Sequence, residues 1–233
     1  MLKYAACTYK GLNRQTNEDR IMINNQVIEE GEIYGETDNC ITAVVCDGVG
    51  GAPAGEIAAQ IAASGLKDLD VPNTSAMTLS RQIHKVNRTI LQEQNKDSSK
   101  TGMATTIAGL TLYSNNYLSF NLGDSHIYKI LQNDIILCSS DHTLSGSSPN
   151  TLTCYLGGDG LHCYPSLKRG INDNTSHYLL CSDGVYKHVP ERILVEILTS
   201  DESLLKKERA ILQIALKNGS KDDVSIILIC QCK

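Results

Sequence analysis

Two apolar runs that lie far apart in the sequence each end in Asp-Gly. The first is ITAVVCDGVGG at residues 41–51, and the second is SHYLLCSDGVY at residues 176–186. Asp-Gly between two strands is typical of a hairpin turn, but here a predicted helix follows each pair, and after Asp47 no return strand is available. An aspartate that closes an apolar strand is held rigidly at the rim of the core, and the glycine beside it lets a ligand approach the backbone carbonyl. Asp47, Gly48 and Asp183 are therefore candidate ligands of a hard cation.

Three further segments place acidic residues beside predicted strands. RQTNEDRIMI contains Glu18 and Asp19, FNLGDSHIYKI contains Asp124, and GSKDDVSIILI contains Asp222 and Asp223. If these carboxylates meet in the fold, they repel one another and raise one another's pKa, and a divalent ion removes that penalty. Oxygen ligands without His or Cys favour Mg²⁺ or Mn²⁺ over Zn²⁺. Two such ions, about 3.5–4 Å apart, can activate a bridging water and bind a phosphoryl oxygen.

The composition predicts a globular protein that does not bind polyanions. Of 233 residues, 41% are hydrophobic, the formal net charge is −5, and there is no basic tract. Nucleic acid and anionic membranes are therefore disfavoured as partners. No apolar stretch approaches the roughly 18 residues of a membrane span. The nine cysteines include no Cys-x-x-Cys pair, which argues against a zinc ribbon. We expect a cytoplasmic protein whose cysteines are reduced and serve as small buried hydrophobes.

The elements that must position the acidic residues alternate without a βαβ pattern. The middle of the chain is antiparallel in character, with YSNN at residues 113–116 read as a hairpin turn, and helices lie on either side of it. The run VSIILIC at residues 224–230 is apolar enough to be buried on both faces. We predict strands at 3–9, 20–28, 41–46, 105–113, 116–122, 126–131, 135–138, 177–181 and 224–230, and helices at 54–69, 75–95, 190–199 and 202–217.

Six segments, in chain order, resemble the motifs of the metal-dependent serine/threonine protein phosphatases (PPM, type 2C). They are NRQTNEDR, VVCDGVGGAPAGEIAA, TGMATTIAGLTL, LGDSHIY, LLCSDGVY and SKDDVSIILI, and DHTL and TCYLGGDG look like two lesser family segments. The resemblance runs from about residue 3 to residue 230. It implies an α+β fold, a four-layer α-β-β-α sandwich in which helix pairs flank two antiparallel β-sheets, built as a single domain over residues 1–233.

The resemblance also implies a role for each candidate residue in a centre of two Mn²⁺ or Mg²⁺ ions. Asp47 would bridge both ions. Gly48 would bind the first through its carbonyl, and Asp183 and Asp222 would bind the second. Asp19 would bind an ion or hold a water on it. The remaining roles are those of Arg14 as the group that grips the substrate phosphate, Asp124 as the ligand of a weaker third ion, and Glu18 and Asp223 as neighbours that support the ligands.

Three departures from the family pattern affect the expected site. Lys187 stands four residues after Asp183, where the family usually has a second Asp, so we expect a weakened or absent third-ion site. His126 replaces the usual Arg of Gly-Asp-Ser-Arg and is interpreted as a surface or core-edge residue. The flap near residues 143–150 is short, which predicts an open cleft with little intrinsic selectivity among phosphopeptides. We expect Met77 and Met103 to be core residues. We expect His84, His162 and His177 to be structural or exposed, because they show no ligand spacing.

The function implied by the resemblance is hydrolysis of phosphoserine and phosphothreonine in proteins, by a hydroxide that bridges the two ions. The enzyme would reverse a cognate serine/threonine kinase, as a cytoplasmic monomer. One alternative is a phosphatase-like module that binds a partner and has weak or no catalysis, although the intact candidate residues argue against it. A second is another two-metal hydrolase such as a nuclease, which the negative charge disfavours. The residues do not identify the general acid.

Overall fold

The fold is built on two six-stranded antiparallel sheets. The computed structural model describes residues 1–38, 40–67, 69, 75–131, 134–144, 151–158, 163–172 and 176–231. The strands are β1 (Leu2–Tyr9), β2 (Arg20–Ile23), β3 (Gln26–Ile28), β4 (Gly31–Thr37), β5 (Cys40–Cys46), β6 (Ile107–Tyr113), β7 (Asn116–Leu122), β8 (His126–Leu131), β9 (Asp134–Leu137), β10 (Ser166–Ile171), β11 (His177–Cys181) and β12 (Val224–Gln231). The first sheet has the order β4-β1-β12-β11-β8-β9 and the second has the order β10-β7-β6-β5-β2-β3.

Helices cover the outer face of each sheet. They are α1 (Gly55–Gly65), α2 (Ala76–Lys96), α3 (Asp183–Tyr186), α4 (Glu191–Thr199) and α5 (Leu204–Lys217). One buried cluster joins α1 and α2 to the second sheet, another lies between the two sheets, and a third joins α3, α4 and α5 to the first sheet. Three apolar interfaces separate four layers, so the predicted α-β-β-α sandwich is confirmed.

Strand β12 shows how the sequence specifies these layers. Residues 224–229 are all buried, as predicted from the apolar run. Ile227 and Ile229 point into the cluster between the sheets, and Ile226 and Leu228 point into the cluster beneath the helices. A strand with alternate side chains in two different cores has no polar face. Residues just before such a strand are held firmly, which matters for Asp222 and Asp223.

Helix α2 follows its sequence pattern closely. Leu79, Ile83, Val86 and Ile90 recur at helical spacing and are all buried against the second sheet. The Ser75 hydroxyl accepts a hydrogen bond from the backbone N–H of Thr78 and caps the helix. The helix therefore forms a fixed wall behind the second sheet.

Several predicted elements were wrong in detail. The single strand at 20–28 is two strands, β2 and β3, because Asn24 takes a left-handed conformation with φ 52° and turns the chain. Strands β4 and β10 and the short helix α3 were not predicted. Met77 is 63% exposed and is not a core residue, whereas Met103 is fully buried as expected. His162 lies outside the described residues.

The expectation of reduced cysteines throughout fails at one pair. Cys154 and Cys163 are joined by a disulfide, with their Cα atoms 5.4 Å apart. Cys7, Cys46 and Cys138 are buried outside any disulfide, as expected of small hydrophobes. In the part of the chain that the structure describes, no helix combines the length and apolar character that crossing a bilayer requires.

Candidate metal centre

A cavity of about 500 Å³ opens at one end of the sandwich, where both Asp-Gly pairs lie. Strand β5 delivers Asp47 to it, α3 begins with Asp183 directly after β11, and Asp222 precedes β12. Asp124 lies in the turn between β7 and β8. Segments far apart in sequence thus line one cavity. The charged residues that line the cavity are Arg14, Asp47, Asp124, Asp183, Lys187 and Asp222.

The backbone around Asp47 is fixed from two sides. Its carbonyl accepts hydrogen bonds from the Thr106 N–H (2.8 Å) and the Thr105 hydroxyl (2.9 Å), and its N–H donates to the Thr106 hydroxyl (3.2 Å). A Cβ on Gly48 would lie 2.8 Å from both the Glu18 carbonyl oxygen and the Gly55 carbonyl carbon. Only glycine therefore allows the loop to pass this close to its neighbours. The sequence pointed to Gly48 but gave no signal for the two threonines.

Asp19 is a buried carboxylate with its own support. It is 1% exposed, and the Ser225 hydroxyl of β12 donates to its Oδ2 at 2.6 Å. The Asn17 side-chain carbonyl accepts from its N–H at 3.0 Å. Burial raises the pKa of Asp19 to about 7, while hydrogen bonds from Ser225 and Ser182 oppose the shift and the Asp223 charge adds to it. Serine residues on β12 and before α3 therefore favour the ionised form against the effect of burial.

The carboxylates act on one another electrostatically. Burial raises the pKa of Asp47 well above its usual range, and the charges of Asp19, Asp183, Asp124 and Asp222 raise it further. Burial also raises the pKa of Asp124, with Asp183 as the next cause. Repulsion of this kind is relieved by a cation placed among the oxygen atoms.

Arg14 reaches the acidic cluster from the loop between β1 and β2. Its Nε and Nη2 lie 2.9 and 2.5 Å from Asp222 Oδ1, and its Nη1 lies 3.0 Å from Glu18 Oε2. The loop itself is tied down by Asp223, whose carboxylate accepts from the backbone N–H groups of Gly11 (2.8 Å) and Glu18 (2.7 Å). Asp223 is 3% exposed. It does not line the cavity but holds the loop that carries Arg14.

Lys187 contributes a second cation to the cavity. Its Nζ lies 2.7 Å from Asp183 Oδ2. Desolvation lowers the pKa of Lys187, but its bond to Asp183 and the nearby Asp124 and Asp47 charges outweigh it, and the net shift is upward. The ammonium group is therefore held in its charged form beside the candidate third-ion ligand.

His126 is a buried residue near the edge of the core, which agrees with the core-edge interpretation and not with the surface one. It is 7% exposed, its Nε2 lies 3.0 Å from Asp141 Oδ1, and its Nδ1 lies 2.7 Å from the Tyr128 hydroxyl. Its ring stacks on Tyr186, with centroids 3.7 Å apart. The Tyr186 hydroxyl in turn donates to Asp124 Oδ2 at 3.3 Å. The sequence gave no signal for the stack, because its members come from separate elements.

The donor chemistry of the cavity fits Mn²⁺ or Mg²⁺. All the candidate ligands are oxygen donors, and their mutual repulsion favours a divalent ion. Within the described ranges, however, no three acidic, imidazole or thiol groups already converge as a ligand set. Asp222 is paired with Arg14, and Asp183 is paired with Lys187. The two aspartate side chains must therefore leave these ion pairs to bind an ion.

The structure describes the base of the expected flap but not most of the flap itself. Most of the expected short flap, residues 145–150, lies outside the described residues. At its base Thr143 pairs with Leu152, and the Leu144 N–H donates to the Thr151 carbonyl at 2.9 Å. His142, in the DHTL segment, has its Nδ1 3.2 Å from the Gly123 nitrogen, next to Asp124. The base of the flap is therefore an ordered part of the cavity rim.

Comparison with known proteins gives one consistent result. A sequence model of the family described as Protein phosphatase 2C matches residues 30–223. The serine/threonine phosphatase stp of Listeria welshimeri is 26% identical over 238 residues, which cover 92% of this chain and 93% of that protein. The crystal structure of the serine/threonine phosphatase Stp1 from Staphylococcus aureus is 25% identical, with a TM-score of 0.86, and the match covers 100% of this chain and 96% of that one.

A further solved structure holds metal ions. It is the catalytic domain of the serine/threonine protein phosphatase PstP in complex with two manganese ions, with a TM-score of 0.81 and 23% identity over 98% of this chain and 97% of that one. At that identity the likeness shows a shared fold. Because the family model spans most of the sequence and the fold agrees, this chain belongs to the protein phosphatase 2C family.

Proposed function

We propose that this chain, as a single domain over residues 1–233, is a metal-dependent phosphatase of phosphoserine and phosphothreonine in proteins. The main observation in support is a cavity lined by Arg14 and by a group of carboxylates that repel one another. An enzyme with net charge −5 needs local positive charge to handle a phosphorylated substrate. The named activities of the Listeria and Staphylococcus relatives support the same reaction.

The ligands of the two ions in this proposal come from both sheets. Asp47, the Gly48 carbonyl, Asp183 and Asp222 would hold the ions, with Asp19 beside them. When bound, Mn²⁺ or Mg²⁺ supplies Lewis acidity that activates water and draws charge from the phosphoryl group. The manganese in the PstP structure supports this choice of metal.

The protein's own residues then bind and orient the substrate. Arg14 presents several N–H donors at the cavity, and its contact with Glu18, which is not one of the proposed ligands, holds it there. A guanidinium can hold two phosphate oxygens at once, which a lysine cannot. Asp223 fixes the loop under Arg14 through two backbone N–H groups. Since water attacks phosphorus directly in this proposal, no Ser, Cys or His nucleophile is required.

The test of the proposed function is a metal-dependent assay with a matched variant. Wild type is assayed on p-nitrophenyl phosphate and a phosphothreonine peptide with Mn²⁺ and with EDTA, and Asp47→Asn is assayed alongside. We expect turnover only with Mn²⁺, and a loss of at least 100-fold in Asp47→Asn, because a group shared by both ions loses its charge. Asp134→Asn, on exposed β9, is the control and keeps full activity.

The outcome also decides between the phosphatase and its alternative. Metal binding without turnover of either substrate favours a phosphatase-like module that binds a partner. Turnover that survives EDTA contradicts both. The proposal includes a cognate serine/threonine kinase that makes the substrate, a cytoplasmic location and a monomeric chain.

We further propose that Lys187 takes the place of a third ion. Its ammonium group already contacts Asp183 and adds positive charge near Asp124. Equilibrium dialysis with Mn²⁺ measures the number of ions per chain without an activity readout. We expect two ions in wild type and in Lys187→Met, and a third in Lys187→Asp, which restores the family carboxylate. Three ions in wild type, or two in Lys187→Asp, would contradict the proposal.

A further inference from the structure

The disulfide lies behind one wall of the candidate active site. We call residues 151–158 the cleft wall, because Thr151, Leu152 and Tyr155 line the cavity. Cys154 points away from the cavity into the apolar cluster under α2, and it is 9% exposed. Its partner Cys163 stands three residues before β10. The bond therefore ties the middle of the cleft wall to the start of an edge strand.

Backbone hydrogen bonds hold the cleft wall on both sides of Cys154 and Tyr155. On one side the Thr153 N–H donates to the His142 carbonyl at 2.8 Å. On the other side Leu156 and Thr105 exchange two backbone hydrogen bonds of 2.9 and 3.0 Å. Between these anchors the disulfide is the covalent restraint nearest to Tyr155, because it is made by the adjacent Cys154. Thr105 also donates to the Asp47 carbonyl, which connects the wall to the acidic cluster.

The pair is suited to reversible oxidation. A Cα separation of 5.4 Å lies in the usual range for a disulfide. Cys163 is only partly buried, so a soluble oxidant can reach it. By contrast, burial raises the thiol pKa of Cys7, Cys46 and Cys181 and makes those groups poor nucleophiles. Disulfides in reducing compartments are typically transient and redox-sensing.

We propose that Cys154 and Cys163 form a reversible disulfide that fixes the cleft wall and thereby tightens binding of a phosphorylated peptide. The oxidant is a small disulfide such as oxidised glutathione. The Cys163 thiolate attacks it and releases one glutathione thiolate, which leaves a mixed disulfide. The Cys154 thiolate then attacks the Cys163 sulfur and releases the second glutathione. Two protein thiols lose two electrons and two protons, and one oxidised glutathione becomes two reduced molecules.

The covalent part of the test uses the full chain at several glutathione ratios. Remaining thiols are trapped with N-ethylmaleimide, and tryptic peptides are analysed by mass spectrometry. We expect a peptide linking Cys154 to Cys163 that disappears under a phosphine reductant. We also expect oxidation to raise the melting temperature by about 5 °C, since the bond restrains the unfolded chain. Cys163→Ala keeps the other cysteines and should show neither effect.

The second part of the test measures ligand binding. It rests on the proposed phosphatase function only in its choice of a phosphothreonine peptide as the ligand. A non-hydrolysable phosphothreonine peptide is titrated with Mn²⁺ present, and its Kd is measured by fluorescence anisotropy in both redox states. We expect a Kd three- to tenfold lower in the oxidised chain, and no redox dependence in Cys163→Ala. A redox-dependent Kd without turnover supports the inference and overturns the proposed function. Turnover with no linked peptide, or with one Kd in both states, overturns the inference and leaves the function intact.

Discussion

Single side chains in this site are held by partners that the reaction does not use. Asp223 never faces the cavity, yet its two oxygens bind the N–H groups of Gly11 and Glu18 and so place Arg14. Ser225 does the same for Asp19 at 2.6 Å. A buried carboxylate that accepts from two backbone N–H groups holds the backbone in place. Removing the carboxylate leaves those N–H groups without a hydrogen-bond acceptor. The position of Arg14, the proposed phosphate-binding group, thus depends on a residue that does not line the cavity.

Arg14→Lys tests whether the forked guanidinium is needed for substrate binding. Lysine keeps the charge but cannot contact Asp222 and Glu18 together or grip two phosphate oxygens. We expect KM for a phosphothreonine peptide to rise about tenfold, a loss of about 1.4 kcal/mol, with Mn²⁺ affinity within threefold of wild type. Steady-state kinetics and metal titration measure the two quantities. Arg88→Lys, on the exposed face of α2, is the control, and an unchanged KM in Arg14→Lys would remove Arg14 from phosphate binding.

Asp19 predicts how the metal-free protein responds to pH. Burial raises the pKa of Asp19 in the folded state to about 7, well above the ordinary value of about 3.9 for an aspartate in the unfolded chain. Between these two pKa values, Asp19 is protonated in the folded state and ionised in the unfolded state. The free energy of unfolding is therefore greatest at the acidic end of this range and falls as pH rises toward 7. One such group contributes a slope of about 1.4 kcal/mol per pH unit. Denaturant unfolding in EDTA at pH 5, 6 and 7 measures it. Asp19→Asn should flatten the slope, and an equally steep slope in that variant would assign it to other groups.

The residue types in the site could be predicted from sequence, but their contacts could not. An aspartate at the end of an apolar run is visible because it breaks the pattern, so Asp47 and Asp183 were identified without a structure. Asp183 begins α3 and Lys187 directly follows it, so their pairing depends on a helix too short to leave a periodic signal. The stack of His126 on Tyr186 joins a strand to that helix and has no sequence signature.

The elements around the site show where local preference gives way to tertiary structure. Strand β4 contains two glycines and two glutamates in GEIYGET, which hides its alternating burial. It forms only because β1 supplies a partner along seven residues. Strand β12 and the hairpin of β6 and β7 carry strong apolar patterns and were predicted correctly. Edge strands with polar residues are thus the part of this fold that local sequence specifies least.

The start of α1 carries backbone strain that a substitution can relieve. Ala54 precedes the helix with φ 54° and ψ 39°, a left-handed conformation that an L-residue adopts at a cost of about 1 kcal/mol. We expect Ala54→Gly to stabilise the protein by about 1 kcal/mol and to raise the melting temperature by about 2–4 °C. Ala63→Gly, inside α1, should lower it, because glycine adds freedom to the unfolded chain and removes a fully buried methyl group. Calorimetry on both variants decides, and a lower melting temperature in Ala54→Gly would show that its methyl packing outweighs the strain.

At the scale of the whole molecule, the acidic cluster lies where the two sheets meet at one end. Asp47 and Asp124 come from the second sheet, at the ends of β5 and β7. Asp183 and Asp222 come from the first sheet, Asp183 just after β11 and Asp222 just before β12. A cation bound among them joins both sheets, so metal binding and global stability are coupled. The coupling follows from the connectivity of the strands, which no single motif reveals.

Metal removal should therefore change the stability of the entire fold. At a Mn²⁺ concentration 100 times its Kd, binding to the folded state alone adds about 2.7 kcal/mol, or about 5–10 °C in melting temperature for a chain of this size. At one fixed Mn²⁺ concentration the gain should be larger at pH 8 than at pH 6, because burial and mutual repulsion raise the pKa values of Asp47 and Asp124, and protons then compete with the ion. Thermal unfolding with Mn²⁺ or EDTA at both pH values measures this, with Asp134→Asn responding as wild type does. If Mn²⁺ raised the melting temperature of Asp47→Asn as much as that of wild type, the ion would bind elsewhere and the acidic cluster would not be the metal site.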